Sequence, residues 1–196
     1  MGKFLMFFVK MFGWRIDPHS PEGVKKAVIV MGPHTSNWDF IIGKIAFMQY
    51  NIKGTYLIKK ELFFWPLGWF LKSIGGIPVD RKSNNNFTDQ AVEYFNNSET
   101  MFMVFTPEGT RSYSPNWKKG FYYIAQKANV PIYIGYMDYK KKIGGFCPTL
   151  FQPTGNSDAD IATIKEILSQ YEGKFPENGI FTVEEDKKRA LKLKSK

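Results

Sequence analysis

Residues 26–50 read KAVIVMGPHTSNWDFIIGKIAFMQY, and this stretch decides the fold class. Its first six residues, Lys26–Met31, are rich in β-branched and apolar side chains, which predicts a buried strand. Gly32-Pro33 ends that strand, because proline cannot donate a hydrogen bond to a neighbouring strand. Trp38–Tyr50 then has the apolar spacing of a helix. A buried strand that leads into a helix is the first half of the repeating unit of α/β proteins.

The same alternation continues along the chain. Further strands are predicted at Gly54–Ile58, Ile77–Asp80, Thr100–Phe105 and Pro131–Met137, with a weaker one near Phe146–Phe151. Further helices are predicted at Thr88–Phe95, Lys118–Ala128 and Asp160–Tyr171. Strands joined by helices of this length form a mostly parallel central sheet with helices on both faces. The 196 residues therefore indicate one α/β domain.

The composition excludes several classes of protein. A hydrophobic content of 43%, with 17 Gly and 11 Pro, is typical neither of disordered chains nor of collagen-like repeats. Cys147 is the one cysteine, so the sequence predicts no internal disulfide and no cysteine zinc site, and it favours a reducing compartment. No cluster of metal-ligating residues stands out, so neither a metal nor a cofactor is expected.

The net charge of +9 is concentrated at the two ends of the chain. Residues 1–15 and 187–196 carry basic and no acidic side chains, whereas residues 16–186 are formally neutral. A protein that binds nucleic acid usually carries its excess positive charge within the fold, whereas basic ends suit binding to an anionic lipid surface. We therefore predict a domain at 16–180 between an N-terminal helix at 1–15 and a basic C-terminal tail at 181–196. A tail that is merely solvated is the alternative.

The N-terminal segment Met1–Trp14 is predicted to form an amphipathic helix. Its apolar residues at helical spacing are Phe4, Phe7, Phe8, Met11 and Phe12. Such a helix either lies in a membrane interface or docks on its own domain. No apolar run approaches the roughly 18 to 20 residues that a spanning helix needs.

His34 follows a predicted strand directly, at the edge of the sheet where α/β proteins bind ligands. If Ser36 caps the next helix, Asp39 is its third residue, and its carboxylate reaches back toward the preceding turn. The side chains of His34 and Asp39 can then meet. The alternative is a capping box beside an incidental histidine.

A second group of polar residues follows strand Thr100–Phe105. Pro107 to Ser112 reads PEGTRS and brings a guanidinium, a hydroxyl and backbone N–H groups to the same edge of the sheet. This is the outline of an anion site, and the alternative is an ion pair between Glu108 and Arg111 that closes a loop. The segment Gly75–Arg81 offers a further arginine after a short strand.

Four segments in this order resemble the motifs of the glycerolipid acyltransferase family, which includes the 1-acyl-glycerol-3-phosphate acyltransferases. His34 to Asp39 matches the HX4D motif, a histidine and an aspartate with four residues between them. Gly76 to Arg81 matches the second motif, Glu108 to Arg111 the third, and Val130 to Ile132 the fourth. The resemblance covers about residues 24–140. Pro33 and Thr106 differ from the residues that many members carry at these positions, which leaves the acceptor open.

The resemblance implies transfer of an acyl group from a thioester, on acyl carrier protein or coenzyme A, to a hydroxyl of lysophosphatidic acid or a related lysolipid. His34 would be the general base, and Asp39 would orient it. The acceptor's headgroup would be held by residues of the second and third motifs, which are Arg81, Glu108, Gly109, Thr110 and Arg111. The enzyme would work at the cytoplasmic face of a membrane as a peripheral protein. No nucleic acid partner is expected.

Two other functions remain open at this point. A thioester hydrolase would use the same pair, His34 and Asp39, to activate water. A non-enzymatic lipid-binding module would use only the basic ends. The apolar segment Leu62–Ile74 is also open to three interpretations: core, the lining of an acyl-chain tunnel, or a lid that faces the membrane.

Overall fold

The computed structural model describes residues 11–80 and 87–194, the last two of these by backbone alone. Within these ranges the strands are β1 (Arg15–Ile16), β2 (Lys26–Gly32), β3 (Gly54–Lys59), β4 (Gly76–Val79), β5 (Met101–Phe105), β6 (Ile132–Asp138) and β7 (Ile143–Phe146). The helices there are α1 (Trp38–Gln49), α2 (Leu67–Ser73), α3 (Phe87–Asn96), α4 (Gly120–Lys127), α5 (Ser157–Leu168) and α6 (Val183–Lys194). Short 3-10 turns occur at Lys60–Leu62 and Pro176–Asn178.

The strands form one sheet in the order β1-β7-β6-β2-β5-β3-β4. All neighbouring pairs are parallel except β6 and β7. Strand β2 lies at the centre, with Val30 beside Phe105 of β5 and Gly32 beside Tyr136 of β6. The carboxyl ends of these three strands therefore meet at one edge of the sheet. The predicted single α/β domain with a mostly parallel sheet is confirmed.

Both faces of the sheet are covered by helices, as predicted. Along β2, alternate side chains point to opposite faces. Ala27, Ile29 and Met31 pack in one cluster with apolar residues of α1. Val28 and Val30 pack in the other cluster, with residues of α3, α4 and α5. The burial of this strand from Ala27 to Gly32 explains its almost continuous apolar sequence.

The weaker strand predicted near Phe146–Phe151 is displaced in the structure. Strand β7 covers Ile143–Phe146, and Phe151 forms only an isolated bridge with Ile132. Gly144 and Gly145 have little intrinsic tendency to form a strand, so pairing with β6 fixes this element. Helix α5 also begins earlier than predicted, because the Asn156 side chain accepts a hydrogen bond from the Ala159 N–H and caps it.

At the N-terminal end, the structure differs from the predicted boundary at residue 15. Most of the predicted amphipathic helix lies outside the described residues. Trp14 is 8% exposed and belongs to the core cluster beside α1. Its ring meets that of Tyr139 edge-on at 4.9 Å. The folded domain therefore includes Trp14 and begins before residue 16.

At the C-terminal end, the predicted basic tail is instead largely helix α6, docked on the domain. Asp186 of α6 forms a buried ion pair with Lys165 at 2.6 Å and accepts a hydrogen bond from Tyr113 at 2.7 Å. Arg189 stacks over the ring of Tyr113 at 4.5 Å. The alternative of a merely solvated tail therefore does not describe residues 183–194, which are helical. None of the helices in the described ranges is long and apolar enough to cross a bilayer.

Candidate active site

A cavity of about 460 Å³ opens at the edge where β2, β5 and β6 end. Its polar lining includes His34, Asp39, Thr110 and Arg111. Its apolar lining includes Phe40, Phe47, Tyr56 and Met137. The cavity therefore joins groups able to bind or activate a polar molecule to a wall suited to an apolar chain.

His34 and Asp39 meet in this cavity, as their spacing predicts. His34 Nδ1 lies 3.1 Å from Asp39 Oδ2. The same carboxylate oxygen accepts the backbone N–H groups of Thr35 and Ser36, both at 2.8 Å. Asp39 is 2% exposed, so its negative charge is held by these donors rather than by water. Because Nδ1 faces Asp39, Nε2 is the ring nitrogen left to receive a proton.

The start of α1 differs slightly from the predicted capping box. The N-cap residue is Asn37 rather than Ser36, and its side chain makes no capping bond. Ser36 Oγ accepts the N–H of Trp38 at 3.3 Å. The reach of Asp39 back over the preceding turn is nevertheless as expected, so the pair forms with the helix one residue shorter.

Tyr139 is a part of the site that sequence reasoning missed. Its hydroxyl donates a hydrogen bond to Asp39 Oδ1 at 2.6 Å, across 100 positions of the chain. Burial raises the pKa of Tyr139 well above its ordinary value, and the hydrogen bond to Asp39 adds to that rise, so the hydroxyl remains a donor. Tyr139 lies just beyond the end of β6, and no motif marks it. Its place just after the predicted strand Pro131–Met137 is the one signal in the sequence that could have pointed to it.

Glu108 holds the backbone of His34 and does not line the cavity. It is 5% exposed, and Oε1 accepts the backbone N–H of His34 at 2.9 Å. Oε2 is buried without a hydrogen-bond partner among the described residues. Burial raises the pKa of Glu108, although the His34 N–H acts in the opposite direction. This position differs from the expected contact with a headgroup, because a carboxylate enclosed by protein is not available to a ligand.

Glu108→Gln is expected to raise the free energy of unfolding by about 1 kcal/mol at a pH where the carboxyl is ionised, because it removes a buried charge whose Oε2 has no hydrogen-bond partner among the described residues. The folded-state pKa of Glu108 lies above the unfolded one, so its contribution to stability is largest at low pH and is lost as pH rises through the folded-state pKa. Urea unfolding at mildly acidic and mildly alkaline pH measures this effect. The difference in free energy of unfolding between Glu108→Gln and the wild type should grow with pH. The control Glu22→Gln, at an exposed position, should show no such difference. A constant difference would contradict the assignment.

The loop after β5 brings backbone, hydroxyl and guanidinium groups to the cavity. Gly109 adopts φ +67°, a conformation that favours glycine, and Thr110 and Arg111 follow it along the cavity wall. Arg111 Nη1 donates a hydrogen bond to the side-chain oxygen of Asn37, which joins this loop to the start of α1. The alternative ion pair between Glu108 and Arg111 is not formed. Arg81 lies outside the described residues.

No group of three or more His, Cys, Asp or Glu side chains that could hold a metal ion occurs within residues 11–80 and 87–194. The polar side chains that line the described cavity include those of His34, Asp39, Thr110 and Arg111.

Comparison with known proteins identifies the family. The sequence matches the Acyltransferase family over residues 15–136, which is more than half of the chain. The structure is similar to the crystal structure of the 1-acyl-sn-glycerophosphate (LPA) acyltransferase PlsC from Thermotoga maritima, with a TM-score of 0.56, 19% sequence identity and coverage of 85% of this chain and 74% of that chain. At that identity the likeness concerns the fold. A search of curated proteins found no match. The match over the segment that builds the cavity shows that this chain belongs to the acyltransferase family.

Proposed function

We propose that the protein transfers an acyl group from a thioester, on acyl carrier protein or coenzyme A, to a hydroxyl of a lysolipid such as lysophosphatidic acid. The observation that carries this proposal is the contact of His34 with Asp39 in a cavity that is partly polar and partly apolar. The polar part suits a hydroxyl and a headgroup, and the apolar wall suits a fatty acyl chain. The fold that the chain shares with an LPA acyltransferase supports the same class of acceptor.

In the proposed reaction His34 is the general base. The acceptor oxygen bonds to the thioester carbonyl carbon while its proton passes to His34 Nε2. The carbon–sulfur bond then breaks, and the departing sulfur takes that proton from the imidazolium. Asp39 holds the ring with its N–H at Nδ1 and stabilises the imidazolium that forms between the two steps. The products are an acylated lipid and a free thiol, and the enzyme is unchanged.

Asp39 is in turn held by donors on two sides. The backbone N–H groups of Thr35 and Ser36 fix Oδ2, and the Tyr139 hydroxyl fixes Oδ1. A carboxylate with this many partners does not rotate away from the imidazole. Glu108 fixes the His34 backbone in the same manner. We propose that these contacts keep the imidazole aligned during turnover, since general-base catalysis depends on geometry before basicity.

The headgroup of the acceptor would be held by Gly109, Thr110 and Arg111, with Arg81 as a further proposed ligand. A guanidinium matches a phosphate through two parallel hydrogen bonds. Asn37 holds the Arg111 side chain at the cavity, so less freedom is lost when a phosphate binds. We further propose that the enzyme works as a peripheral protein at the cytoplasmic face of a membrane, where the predicted amphipathic N-terminal segment and the basic surface of α6 would contribute to binding.

Incubation of the purified protein with lysophosphatidic acid and either donor type, followed by mass spectrometry of the lipids, tests the proposed function. The expected product is phosphatidic acid that carries the donor's acyl chain. A hydrolase would instead release free fatty acid at the same rate with and without lysolipid. That result, with either donor, would refute transfer.

Arg111→Lys is expected to raise the KM for a phosphate-bearing acceptor about tenfold or more, because lysine cannot make the bidentate contact. The KM for the acyl donor should change little. Monoacylglycerol, which lacks the phosphate, is the control acceptor. An equal loss with monoacylglycerol would show that Arg111 does not contact the phosphate.

A further inference from the structure

The segment between β3 and β4 exposes an unusual amount of apolar surface. Trp65 is 88% exposed and Trp69 is 75% exposed. The other large apolar side chains exposed in this segment are Leu62, Phe64 and Phe70. Single exposed apolar residues are common on soluble proteins, but a cluster of this size marks a surface that binds something. Of the interpretations open for this segment, burial in the core is therefore wrong for these five side chains.

The outer side of α1 continues this surface. Phe40 and Ile41 are exposed on α1. Lys44 of the same helix donates a hydrogen bond from Nζ to the Ile74 carbonyl oxygen at 2.8 Å, which ties α1 to the end of α2. The Phe40 ring also contacts that of Tyr56 in β3 at 5.3 Å. We name Phe40, Ile41 and the five exposed residues of segment 62–70 the aromatic face.

The aromatic face adjoins the catalytic cavity. Phe40 belongs to both, since it is exposed on α1 and lines the cavity together with His34. Tyr56, which Phe40 contacts, lines the cavity as well. A partner bound to the aromatic face would therefore contact Phe40, which also lines the cavity that the proposed acceptor enters.

The charge around the aromatic face indicates the occupant. Segment 59–72, which holds the five exposed apolar side chains, contains Lys59, Lys60 and Lys72 against one carboxylate, Glu61, and Lys60 is paired with Asp80. Tryptophan and lysine together are typical of proteins at a membrane interface, where the indole lies at headgroup level and the ammonium meets lipid phosphates. A surface with exposed tryptophans and mostly positive charge is complementary to an anionic bilayer.

We infer that the aromatic face docks the protein on an anionic lipid bilayer, with Trp65 and Trp69 inserted among the headgroups. This surface is separate from the N-terminal segment and sets the cavity beside the lipid phase. The inference rests on the proposed function for its biological use, because a lysolipid acceptor would then reach the cavity from the bilayer. The binding itself needs no acyl donor and is measured independently.

Sedimentation with vesicles of equimolar phosphatidylcholine and phosphatidylglycerol tests the inference. The full-length Trp65→Ala/Trp69→Ala variant should partition to these vesicles about tenfold or more weakly than the wild type, since two large apolar side chains are lost from the contact. Tyr123→Ala, an exposed aromatic on α4 and on the opposite face of the sheet, is the matched control and should bind like the wild type. Unchanged partition of the double variant would overturn the inference. Loss of self-association in place of vesicle binding would also overturn it, because the occupant would then be a second copy of the chain.

Two further measurements separate this inference from folding and from catalysis. The Trp65→Phe/Trp69→Phe variant keeps most of the apolar area, so it should still bind vesicles but lose most of the quenching of tryptophan fluorescence by brominated lipid. Quenching equal to that of the wild type would place other tryptophans in the bilayer and refute the inference. Acyl transfer to a short-chain, water-soluble acceptor should be unchanged in both double variants, because neither tryptophan lines the cavity. Failure of transfer in the wild type would refute the proposed function alone.

Discussion

Replacement of His34 by alanine is expected to lower kcat by about 10²- to 10⁴-fold, the usual loss when a general base is removed. Under the proposed mechanism the imidazole takes the acceptor's proton, and alanine leaves no substitute there. The fold should persist, because the contact of the His34 backbone N–H with Glu108 does not involve the ring. Initial rates with lysophosphatidic acid and circular dichroism of the same preparation measure both effects.

The chain provides a matched control for this variant. His19 also contacts an aspartate, with Nδ1 at 2.6 Å from Asp17 Oδ1, but it is exposed and does not line the cavity. His19→Ala should keep the wild-type rate. Turnover at the wild-type rate in a folded His34→Ala protein would refute the proposed mechanism, and an equal loss in both variants would indicate a general effect on the protein.

Asp39→Asn is expected to reduce kcat by a similar factor, about 10²- to 10⁴-fold, with little loss of structure. The amide oxygen can still accept the N–H groups of Thr35 and Ser36, and the amide NH₂ can donate to the Tyr139 hydroxyl, which is able to accept as well. The shape of the site is thus kept, but the negative charge that stabilises the imidazolium is lost. Pre-steady-state and steady-state rates measure the loss of kcat, and urea unfolding of the same variant measures any loss of stability.

Asp17→Asn is the control for the loss of charge. Asp17 accepts a hydrogen bond from the Tyr136 hydroxyl at 2.8 Å and contacts His19, so its environment is similar to that of Asp39 outside the cavity. Its replacement should leave kcat unchanged. If Asp39→Asn turned over like Asp17→Asn, the charge of Asp39 would have no part in the reaction.

The pair of His34 and Asp39 was predictable because it is local. The two residues are five positions apart, and the geometry of a strand, a turn and the first turn of a helix is enough to bring them together. The central strands were predictable for a similar reason. A strand buried on both faces must be apolar along its length, as β2 is.

The supports of this pair were not predictable, because they depend on which strands pair. Tyr139 reaches Asp39 only because β6 lies beside β2, and Glu108 reaches His34 only because β5 lies on the other side. A sequence pattern gives the existence of strands but not their order in the sheet. The burial of Glu108 also depends on the pairing of β5 with β2, so the motif alone did not reveal that its carboxylate is enclosed by protein.

Helix α6 was missed for a different physical reason. Its residues are mostly charged, and its buried residue, Asp186, carries a carboxylate. The helix is held by an ion pair with Lys165 and by the stacking of Arg189 on Tyr113, contacts that leave no apolar stripe to recognise. Hydrophobic periodicity cannot detect an element that is attached mainly through polar groups.

The central position of β2 has a consequence for biosynthesis. The ribosome releases a chain from its N-terminus, so α1 emerges with His34 and Asp39 long before the partners on β5 and β6. Glu108 follows His34 by 74 positions, and Tyr139 follows Asp39 by 100. A nascent chain that ends before residue 108 therefore contains His34 and Asp39 without Glu108 and Tyr139. Under the proposed mechanism, the pair of His34 and Asp39 therefore gains all of its supports only when most of the polypeptide has been translated.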